Sequence, residues 1–530
     1  MAFTKSSISW NVSSSYIFNT SFRTVNIRRI FKSIKCQRRP EIQASSLYYG
    51  ITIWCRYVYQ YLCFWGERES FCRIFVIMRV YPNILNYVEA LKGRIVCDEI
   101  GEPVYFSGNR SVVFKVECDG KIRAMKCYTL DDPLRRERYA ELSEALVAVP
   151  SGVFVGYDYL EDYIVCADQN GDVGSFDCVM MEWVEGRSLT SALSEAVYFN
   201  RREVIAGLAL RFLRLASELL RSPYVHCDIK PDNIMVRDDG AMTVVDLDPV
   251  RLRGDKRPRT ETGTPGFRHP CVTGLKRADH CDDYPIVVVA ATLFALAEEP
   301  GLWGGDADRV VFDPDECAIG YSRRVADFAI RWRDRPYLLG LLDMLLSEGA
   351  AVYGVVGAVE RAIVCIAGAG ALGRSVDPAE LFDDAVDCGD GITLVSLVGQ
   401  WGYLTSDGVE RFYPVALPFS DDMAVVSEGD GRWCAMDRER NILFGLKCEE
   451  LCSYSEGLAP VRIGGKWGYA DSAGAVTIEP VYDYCGAFSN GCAVVRNGAC
   501  YGVIDSDGVL LRPMSEGVIV RGENGEIVAL

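Results

Sequence analysis

Histidine is scarce in this chain of 530 residues, which contains only His226, His269 and His280. Cysteine is plentiful, but no pair of Cys-x-x-Cys units occurs, and the segment CEELC at 448–452 has no second cysteine pair beside it. Structural zinc sites draw their four ligands from closely spaced cysteines and histidines. The sequence therefore argues against a zinc site.

A secretory signal is not evident at the start of the chain, and the 21 cysteines are scattered along its whole length. Disulfide frameworks are typical of small secreted domains, in which cysteines are dense. We therefore expect reduced cysteines and a protein of the cytoplasm.

Positive charge is in short supply, because 56 Lys and Arg residues face 73 Asp and Glu residues, for a formal net charge of −17. This balance disfavours nonspecific binding to nucleic acid and to anionic lipid. We expect neither nucleic acid nor a membrane as a partner. Residues 1–77 differ from the rest, since they hold eleven Lys or Arg residues and only three Glu residues.

Long apolar runs are also missing. The most apolar segment, LYYGITIWCRYVYQYLCFWG at 47–66, is interrupted by Arg56, so its longest uncharged stretch falls short of the roughly 20 residues that a membrane-spanning helix needs. The basic, serine-rich composition of residues 1–40 is also typical of an organelle transit peptide. Because Met78 is followed at once by a helical pattern, we interpret residues 1–77 as an extension upstream of the natural start.

The pattern of apolar residues predicts an α+β fold in which strands come first. Apolar and polar residues alternate at 104–129 around the turn dipeptide Asp119-Gly120, which predicts a β-hairpin. A helical pattern follows at 132–149, and another strand pattern at 176–184. After about residue 187 helical patterns dominate.

Charged and amide side chains are concentrated in the segment YVHCDIKPDNIMV at 224–236. Asp228, Lys230 and Asn233 lie within six positions there, between two apolar runs, and Asp246 follows in TVVDLD. Such groups are costly to cluster near a core unless they serve an ion or a highly charged substrate. This segment is therefore the candidate functional site.

In this order the motifs resemble those of a eukaryotic-type Ser/Thr protein kinase domain, over roughly residues 93–375. The resemblance implies that Asp228 accepts the proton of the substrate hydroxyl and that Lys230 steadies the phosphoryl charge, both as catalytic residues. It also implies that Asn233 and Asp246 are ligands of Mg²⁺ and that ATP is the phosphoryl donor.

The resemblance extends to the residues that would hold the nucleotide. Lys126 in RAMKCY stands where these kinases have the catalytic lysine that grips the nucleotide phosphates. We expect it to pair with Glu141, which also counts among the catalytic residues, and Glu144 one helical turn further on is the alternative partner.

Four further residues are implied in nucleotide binding. Gly108 and Val113 correspond to the phosphate-binding loop and the strand after it, and Glu182 and Val184 flank the hinge that bonds to adenine through its backbone. The fold implied is a two-lobed protein-kinase-like domain at 78–375, with an N-lobe at about 93–182 and a C-lobe at about 183–375.

The chain departs from the kinase pattern at several positions. The phosphate loop keeps a single glycine, Asp248 replaces the glycine after the metal-binding Asp, Cys271 replaces a glutamate, and Cys227 stands where many such kinases have arginine. The DLD motif also resembles small-molecule phosphotransferases that share this fold, and a pseudokinase scaffold is a further alternative. Lys230 and Thr264 match Ser/Thr kinases and favour a Ser or Thr hydroxyl of a protein substrate as the acceptor.

A repeat occupies the C-terminal part of the chain. The segments GQWGYLTSDG, GRWCAMDRER, GKWGYADSAG and ACYGVIDSDG place Trp401, Trp433, Trp467 and Tyr501 at intervals of 32, 34 and 34 residues. Each unit is predicted to form short strands joined by glycine-rich turns, and one unit alone could not bury its aromatic face. The units resemble WG repeats, with the second unit degenerate because Cys434 stands where glycine is usual.

We predict that these β-rich repeats span 392–515, after an acidic, turn-rich linker at 376–391 that proteases should cut, and before a C-terminal tail at 516–530. The resemblance implies a module that binds an unknown protein partner or the substrate protein. Such repeats are common beside bacterial domains, so a bacterial origin is expected by analogy.

Overall fold

The computed structural model describes residues 79–530 apart from short gaps, which are residues 109, 133–134, 151, 256, 258–261, 273–279, 305–309, 321, 350–351, 517–518, 522–526 and 530. The extension that we predict at residues 1–77 lies outside the described residues. From Val80 onward the chain forms one compact unit. Among the described helices, none combines the length and the apolar character needed to cross a membrane.

The described part of residues 79–375 contains a five-stranded sheet, two small sheets and most of the helices. The strands are β1 (Tyr105–Ser107), β2 (Ser111–Cys118), β3 (Lys121–Tyr128), β4 (Tyr157–Ala167), β5 (Val173–Glu182), β6 (Arg187–Ser188), β7 (Tyr224–Val225), β8 (Ile234–Val236), β9 (Met242–Val244) and β10 (Arg251–Leu252). The helices are α1 (Ile84–Ala90), α2 (Arg135–Ala148), α3 (Leu189–Tyr198), α4 (Arg202–Arg221), α5 (Asp283–Glu298), α6 (Pro314–Ala318), α7 (Arg323–Arg331), α8 (Pro336–Leu345) and α9 (Val355–Ala367).

The five-stranded sheet is antiparallel, with strand order β1-β2-β3-β5-β4. Asp119 and Gly120 turn the chain between β2 and β3 with φ angles of 52° and 70°. Asp and Gly tolerate this left-handed conformation better than other residues, and it matches the twist of a two-residue hairpin. The predicted hairpin, the helix after it and the strand at 176–184 are confirmed.

Helices α4 and α5 form the centre of the part that follows. Helix α5 is buried on nearly every side, which explains why its sequence is apolar all round, whereas α4 is amphipathic. The change from strands to helices after about residue 187 agrees with the prediction. The described chain is therefore a mixed structure of helices and many separate β-sheets.

In the C-terminal part, four antiparallel sheets of four strands each follow one another along the described chain. Their strands are β11 (Asp384–Asp387), β12 (Thr393–Leu397), β13 (Gln400–Thr405) and β14 (Gly408–Tyr413); β15 (Val415–Ala416), β16 (Ala424–Ser427), β17 (Arg432–Met436) and β18 (Ile442–Lys447); β19 (Glu450–Leu451), β20 (Leu458–Ile463), β21 (Lys466–Asp471) and β22 (Val476–Tyr482); and β23 (Tyr484–Cys485), β24 (Cys492–Asn497), β25 (Cys500–Asp505) and β26 (Leu510–Glu516). A last hairpin joins β27 (Ile519–Arg521) to β28 (Ile527–Ala529). The anchors Trp401, Trp433, Trp467 and Tyr501 each occupy the second position of the third strand in their sheet, so the sequence period is the period of the sheets.

Neighbouring repeat sheets share their cores. Each apolar cluster between them combines residues from two successive sheets, such as Tyr469 from the third and Phe488 from the fourth, whose rings lie 4.8 Å apart. Ser420 and Ser455 each donate a hydrogen bond to a backbone oxygen of the next sheet, at 2.6 and 2.7 Å. A single sheet therefore leaves its apolar face incomplete, as the repeat pattern predicts.

The predicted linker at 376–391 is wrong as a description of this segment. It contains the 3-10 helix Pro378–Glu380 and strand β11, which is the first strand of the first repeat sheet. Leu381 and Phe382 are buried in one cluster with Cys365 of α9 and with residues of the first repeat sheet. The acidic composition that suggested a linker belongs to exposed positions, whereas two apolar residues anchor the segment.

Two glycines show how closely α9 meets the first repeat sheet. A Cβ atom on Gly408 would lie 2.5 Å from the backbone oxygen of Cys365, and one on Gly368 would overlap the backbone oxygen of Ser406. Gly408 has a φ of +102° and Gly368 one of +75°. Backbone atoms cannot move aside as a flexible side chain can, so only glycine fits at these contacts.

We predict that Gly408→Ala lowers the free energy of unfolding more than Gly399→Ala does. Both glycines have positive φ, but a Cβ on Gly399 meets nothing within 4 Å. Positive φ alone costs alanine about 1–2 kcal/mol, and overpacking against α9 should add about 1–3 kcal/mol. Urea unfolding of the two variants measures the difference. Equal losses would mean that α9 and the repeats are not in close contact.

Candidate functional site

A buried carboxylate fixes the loop that carries the predicted site. Asp282, immediately before α5, accepts hydrogen bonds from the backbone N–H groups of His226 at 2.6 Å and Cys227 at 2.7 Å. One ring nitrogen of His226 lies 3.0 Å from the backbone oxygen of Val245, which links the loop to the segment after β9. Burial raises the pKa of Asp282, and the hydrogen bonds of the loop act in the opposite direction. Hydrogen bonds to Asp282 and Val245 thus fix the backbone of the loop between β7 and β8.

Asp228 lies at the centre of a cluster of predicted residues. One oxygen of its carboxylate accepts hydrogen bonds from the backbone N–H and the hydroxyl of Thr264, both at 2.8 Å. Asn233 donates to the backbone oxygen of Asp228 at 2.8 Å and to its second carboxylate oxygen at 3.3 Å. The ammonium group of Lys230 lies 3.9 Å from that second oxygen. The carboxylate therefore has a fixed orientation.

A second cluster surrounds Lys126 on β3. Its ammonium group lies 2.6 Å from an oxygen of Asp246 and 2.9 Å from an oxygen of Asp248. Burial of Lys126 lowers its pKa, but the charges of Asp248 and Asp246 outweigh this effect, so the pKa is raised. Burial raises the pKa of Asp246, but the charge and the hydrogen bond of Lys126, together with smaller effects of His226 and Lys230, outweigh burial in sum, so the pKa is lowered. Lys126 and Asp246 are thus both charged at neutral pH.

The predicted pairing of Lys126 with Glu141 is wrong for this structure. The Glu141 carboxylate lies 2.7 Å from the guanidinium of Arg257, which also contacts Asp255 at 2.9 Å. Among the described residues, the ion pairs of Lys126 are with Asp246 and Asp248, and Glu144 does not replace them. The physical reason is that Glu141 is half exposed on α2, whereas the charge of the buried Lys126 is already balanced by two carboxylates.

The residues predicted to hold the nucleotide lie on strands of the sheet that carries Lys126 or just beyond the ends of those strands. Gly108 follows β1, and its N–H donates to the backbone oxygen of Ser111 at 2.8 Å. Val113 on β2 is opposite Lys126 in the register of the sheet. Glu182 ends β5, with its carboxylate 3.4 Å from Arg237, and Val184 is buried just beyond it. Their roles in nucleotide binding stay predictions.

The oxygen atoms near Asp246 are suited to a hard divalent cation. The pairing of β8 with β9 and a hydrogen bond of 2.9 Å from the N–H of Val245 to the backbone oxygen of Asn233 bring Asn233 beside Asp246. One oxygen of Asp248 is buried without a hydrogen-bond partner among the described residues, as expected for an atom that has a cation to bind.

Mg²⁺ is usually bound through one or two carboxylates, several waters and the phosphates of a substrate. In the described part of the chain, no group of three or more His, Cys, Asp or Glu residues could hold a metal by itself. The two carboxylates and the amide here therefore fit a cation that shares its ligands with nucleotide phosphates, and do not fit a cation held by protein alone.

Comparison with known proteins separates the two parts of the chain. The family described as the WG containing repeat matches residues 433–467 and 467–499. The serine/threonine-protein kinase pak-1 of Caenorhabditis elegans is 29% identical over 183 residues, which cover 34% of this chain and 29% of that protein. The chain combines WG repeats with a region similar to serine/threonine-protein kinases. That similarity is low in identity and partial in coverage.

Two further relatives of the kinase-like region come from a yeast and a bacterium. The serine/threonine-protein kinase CLA4 of Candida albicans is 26% identical over 215 residues, or 40% of this chain and 21% of that protein. The probable serine/threonine-protein kinase SCO3848 of Streptomyces coelicolor is 27% identical over 138 residues, or 25% of this chain and 19% of that protein. The matched segments thus span less than a third of the length of each of these curated relatives.

Two residues of this site escaped the sequence reasoning. In the sequence Asp248 is only a departure from the kinase pattern, although a carboxylate two residues after Asp246 is a signal for a partner of Lys126. Asp282 is absent from the predicted site residues. The available signal was a pair of acids directly before the long apolar segment of α5, since an acid at the edge of a buried helix needs a partner.

We predict that Asp248→Asn makes Lys126 more reactive, whereas Glu141→Gln does not. Loss of a carboxylate at 2.9 Å lowers the pKa of Lys126, and a lower pKa leaves more of the amine neutral and nucleophilic. Carbamylation of Lys126 by cyanate at pH 8 to 9, followed by mass spectrometry, measures this. A faster reaction in Glu141→Gln, with no change in Asp248→Asn, would show that Glu141 and not Asp248 is the ion-pair partner of Lys126.

Proposed function

We propose that residues 78–375 form a two-lobed protein-kinase-like domain that transfers the γ-phosphoryl group of ATP to a Ser or Thr hydroxyl of a protein. The observation that carries this proposal is the Asp228 cluster next to the Lys126–Asp246 pair, since Lys126, Asp228, Asn233 and Asp246 come from three separate segments: strand β3, the loop between β7 and β8, and the segment after β9. The similarity to serine/threonine-protein kinases supports it.

The chemistry needs few covalent steps from the protein, because phosphoryl transfer depends mainly on position and on neutralisation of charge. Asp228 is oriented by Thr264 and Asn233 and accepts the proton of the attacking hydroxyl. Lys126 and Lys230 place positive charge beside the phosphates. Asp246 and Asn233 would hold Mg²⁺, which supplies further positive charge to the phosphate oxygens.

The acceptor is proposed to be a protein Ser or Thr. Thr264 lies in the segment GTPGFRHP, where resembling kinases receive the substrate polypeptide, and its hydroxyl bonds directly to Asp228. A small-molecule phosphotransferase is the second candidate, since Asp248 of the DLD motif contacts Lys126 at 2.9 Å. The labelled product distinguishes the two candidates, because a protein kinase labels a protein acceptor and a small-molecule phosphotransferase labels a small alcohol.

The repeat sheets from β11 to β26 are proposed to bind a partner protein or the substrate protein. Their outer strands expose large apolar side chains, among them Ile442 and Leu443 on β18, Val481 on β22, and Leu510 and Leu511 on β26. Exposed apolar groups on several successive sheets are typical of surfaces that bind proteins.

We propose further that the whole protein acts in the reducing cytoplasm.

We predict that Asp228→Asn lowers the rate of phosphoryl transfer by about 100-fold or more, because loss of a general base costs about 10²–10⁴ in rate. Asp246→Asn should lower it as much by weakening Mg²⁺ binding. Asp232→Asn is the matched control, because it removes a carboxylate from the same loop, and it should stay within a few fold of the wild type. Transfer of label from γ-labelled ATP to a generic protein measures all three.

ATP binding should survive Asp228→Asn, since that carboxylate contacts the acceptor and not the nucleotide. A wild-type rate in Asp228→Asn would show that Asp228 is not the base. A wild-type protein that binds ATP with Mg²⁺ but transfers nothing to any acceptor would be a pseudokinase scaffold.

A further inference from the structure

Two cysteines that take no part in the proposed reaction lie against each other beside the candidate base. Cys227 directly precedes Asp228 and Cys281 directly precedes Asp282, 54 residues apart in the sequence. Their sulfur atoms are 2.7 Å apart, and both residues are thiols in the structure. A disulfide requires sulfur atoms about 2.05 Å apart, so a small movement would suffice to join them.

The backbone holds these two thiols in place independently of any bond between them. Asp282 binds the N–H groups of His226 and Cys227, which ties the segment of Cys281 to the segment of Cys227. Cys227 has a φ of 69°, in the left-handed region that a residue other than glycine rarely adopts. Such conformations persist only where the surroundings impose them. The backbone conformation of the loop therefore determines the contact between the two sulfur atoms.

The two thiols line a cavity of about 20 Å³ whose walls also include Asp228, Thr264 and Tyr284. A cavity needs roughly 10–15 Å³ to hold a water molecule, so there is room here for a molecule of about that size. Cys281 is partly exposed, whereas Cys227 is only 3% exposed. An oxidant would therefore reach Cys281 first and Cys227 would react second.

We propose that Cys227 and Cys281 form a redox-sensitive dithiol that hydrogen peroxide converts into a disulfide, which displaces Asp228 and slows phosphoryl transfer. The effect on rate rests on the proposed function, whereas the formation of the disulfide does not.

The reaction has two steps. The sulfur of Cys281 attacks one peroxide oxygen, the O–O bond breaks, and a sulfenic acid and one water form. The sulfur of Cys227 then attacks the sulfur of Cys281, a S–S bond forms, and a second water leaves. Two thiols are oxidised, one peroxide is reduced, and a dithiol reductant reverses the change.

A disulfide at this place acts on the site through one peptide bond. Asp228 is held by the N–H and hydroxyl of Thr264, and the oxygen of Cys227 lies close to Gly263, where an added Cβ would be 3.1 Å away. Movement of Cys227 toward Cys281 therefore shifts Asp228 against the segment of Thr264. A displacement of about 1 Å can cost about 100-fold in rate.

The formation of the disulfide is tested on the full chain with hydrogen peroxide, a thiol-blocking reagent, proteolysis and mass spectrometry. We expect a linked pair of peptides that contain Cys227 and Cys281, and its loss in Cys281→Ser and in Cys281→Ala. Cys271→Ser is the matched control, because Cys271 is a more exposed thiol nearby whose sulfur contacts a backbone oxygen instead. If wild-type protein formed no such linked pair, or Cys271→Ser abolished it, the proposal would be overturned.

The displacement is tested by hydrogen exchange over residues 262–269, because the N–H of Thr264 is protected by its bond to Asp228. Exchange should be faster in oxidised wild type, return on reduction with dithiothreitol, and not change in Cys281→Ser. Phosphoryl transfer should fall at least tenfold and recover in parallel. If exchange does not change although the disulfide forms, the displacement is refuted. If exchange changes while reduced protein transfers no phosphate, the dithiol stands and the proposed function fails.

Discussion

The buried carboxylate of Asp282 is the contact on which the candidate site depends. It binds two consecutive backbone N–H groups, of His226 and Cys227, and so fixes the loop that presents Asp228. A buried charge without such partners would cost several kcal/mol. Because Asp282 immediately precedes α5, the most buried of the described helices, the position of Asp228 is tied to the centre of the core. The sulfur contact between Cys227 and Cys281 follows from the same arrangement.

A second constraint is the balance of charge around Lys126. A buried lysine needs an opposite charge, and here two carboxylates supply it, those of Asp246 and Asp248. This leaves Glu141 available to bind Arg257, in the segment that leads toward Thr264. The second aspartate of the DLD motif thus has a structural consequence, because it changes which acid is the partner of Lys126. The replacement of glycine by Asp248 therefore supplies one of the two carboxylates that balance the charge of Lys126.

Local features of the fold could be predicted from the sequence, whereas pairings across long distances could not. The hairpin at Asp119-Gly120 and the 34-residue repeat follow from turn chemistry and from aromatic spacing, which the sequence displays directly. The ion-pair partner of Lys126 depends on which carboxylate lies close to it in the folded chain. The sequence alone does not distinguish Glu141 from Asp248 in this respect. The acidic composition of 376–391 predicts a linker, but the burial of Leu381 and Phe382 determines how this segment packs.

The proposal that the chain phosphorylates protein hydroxyls has one decisive measurement. The reduced full chain is incubated with Mg²⁺ and with ATP labelled either at the γ- or at the α-phosphorus, together with a mixture of acceptor proteins, and the labelled amino acids are identified after acid hydrolysis. The account predicts phosphoserine or phosphothreonine that carries label from the γ-position alone. Protein without label, or label recovered only in a small-molecule product, would contradict it.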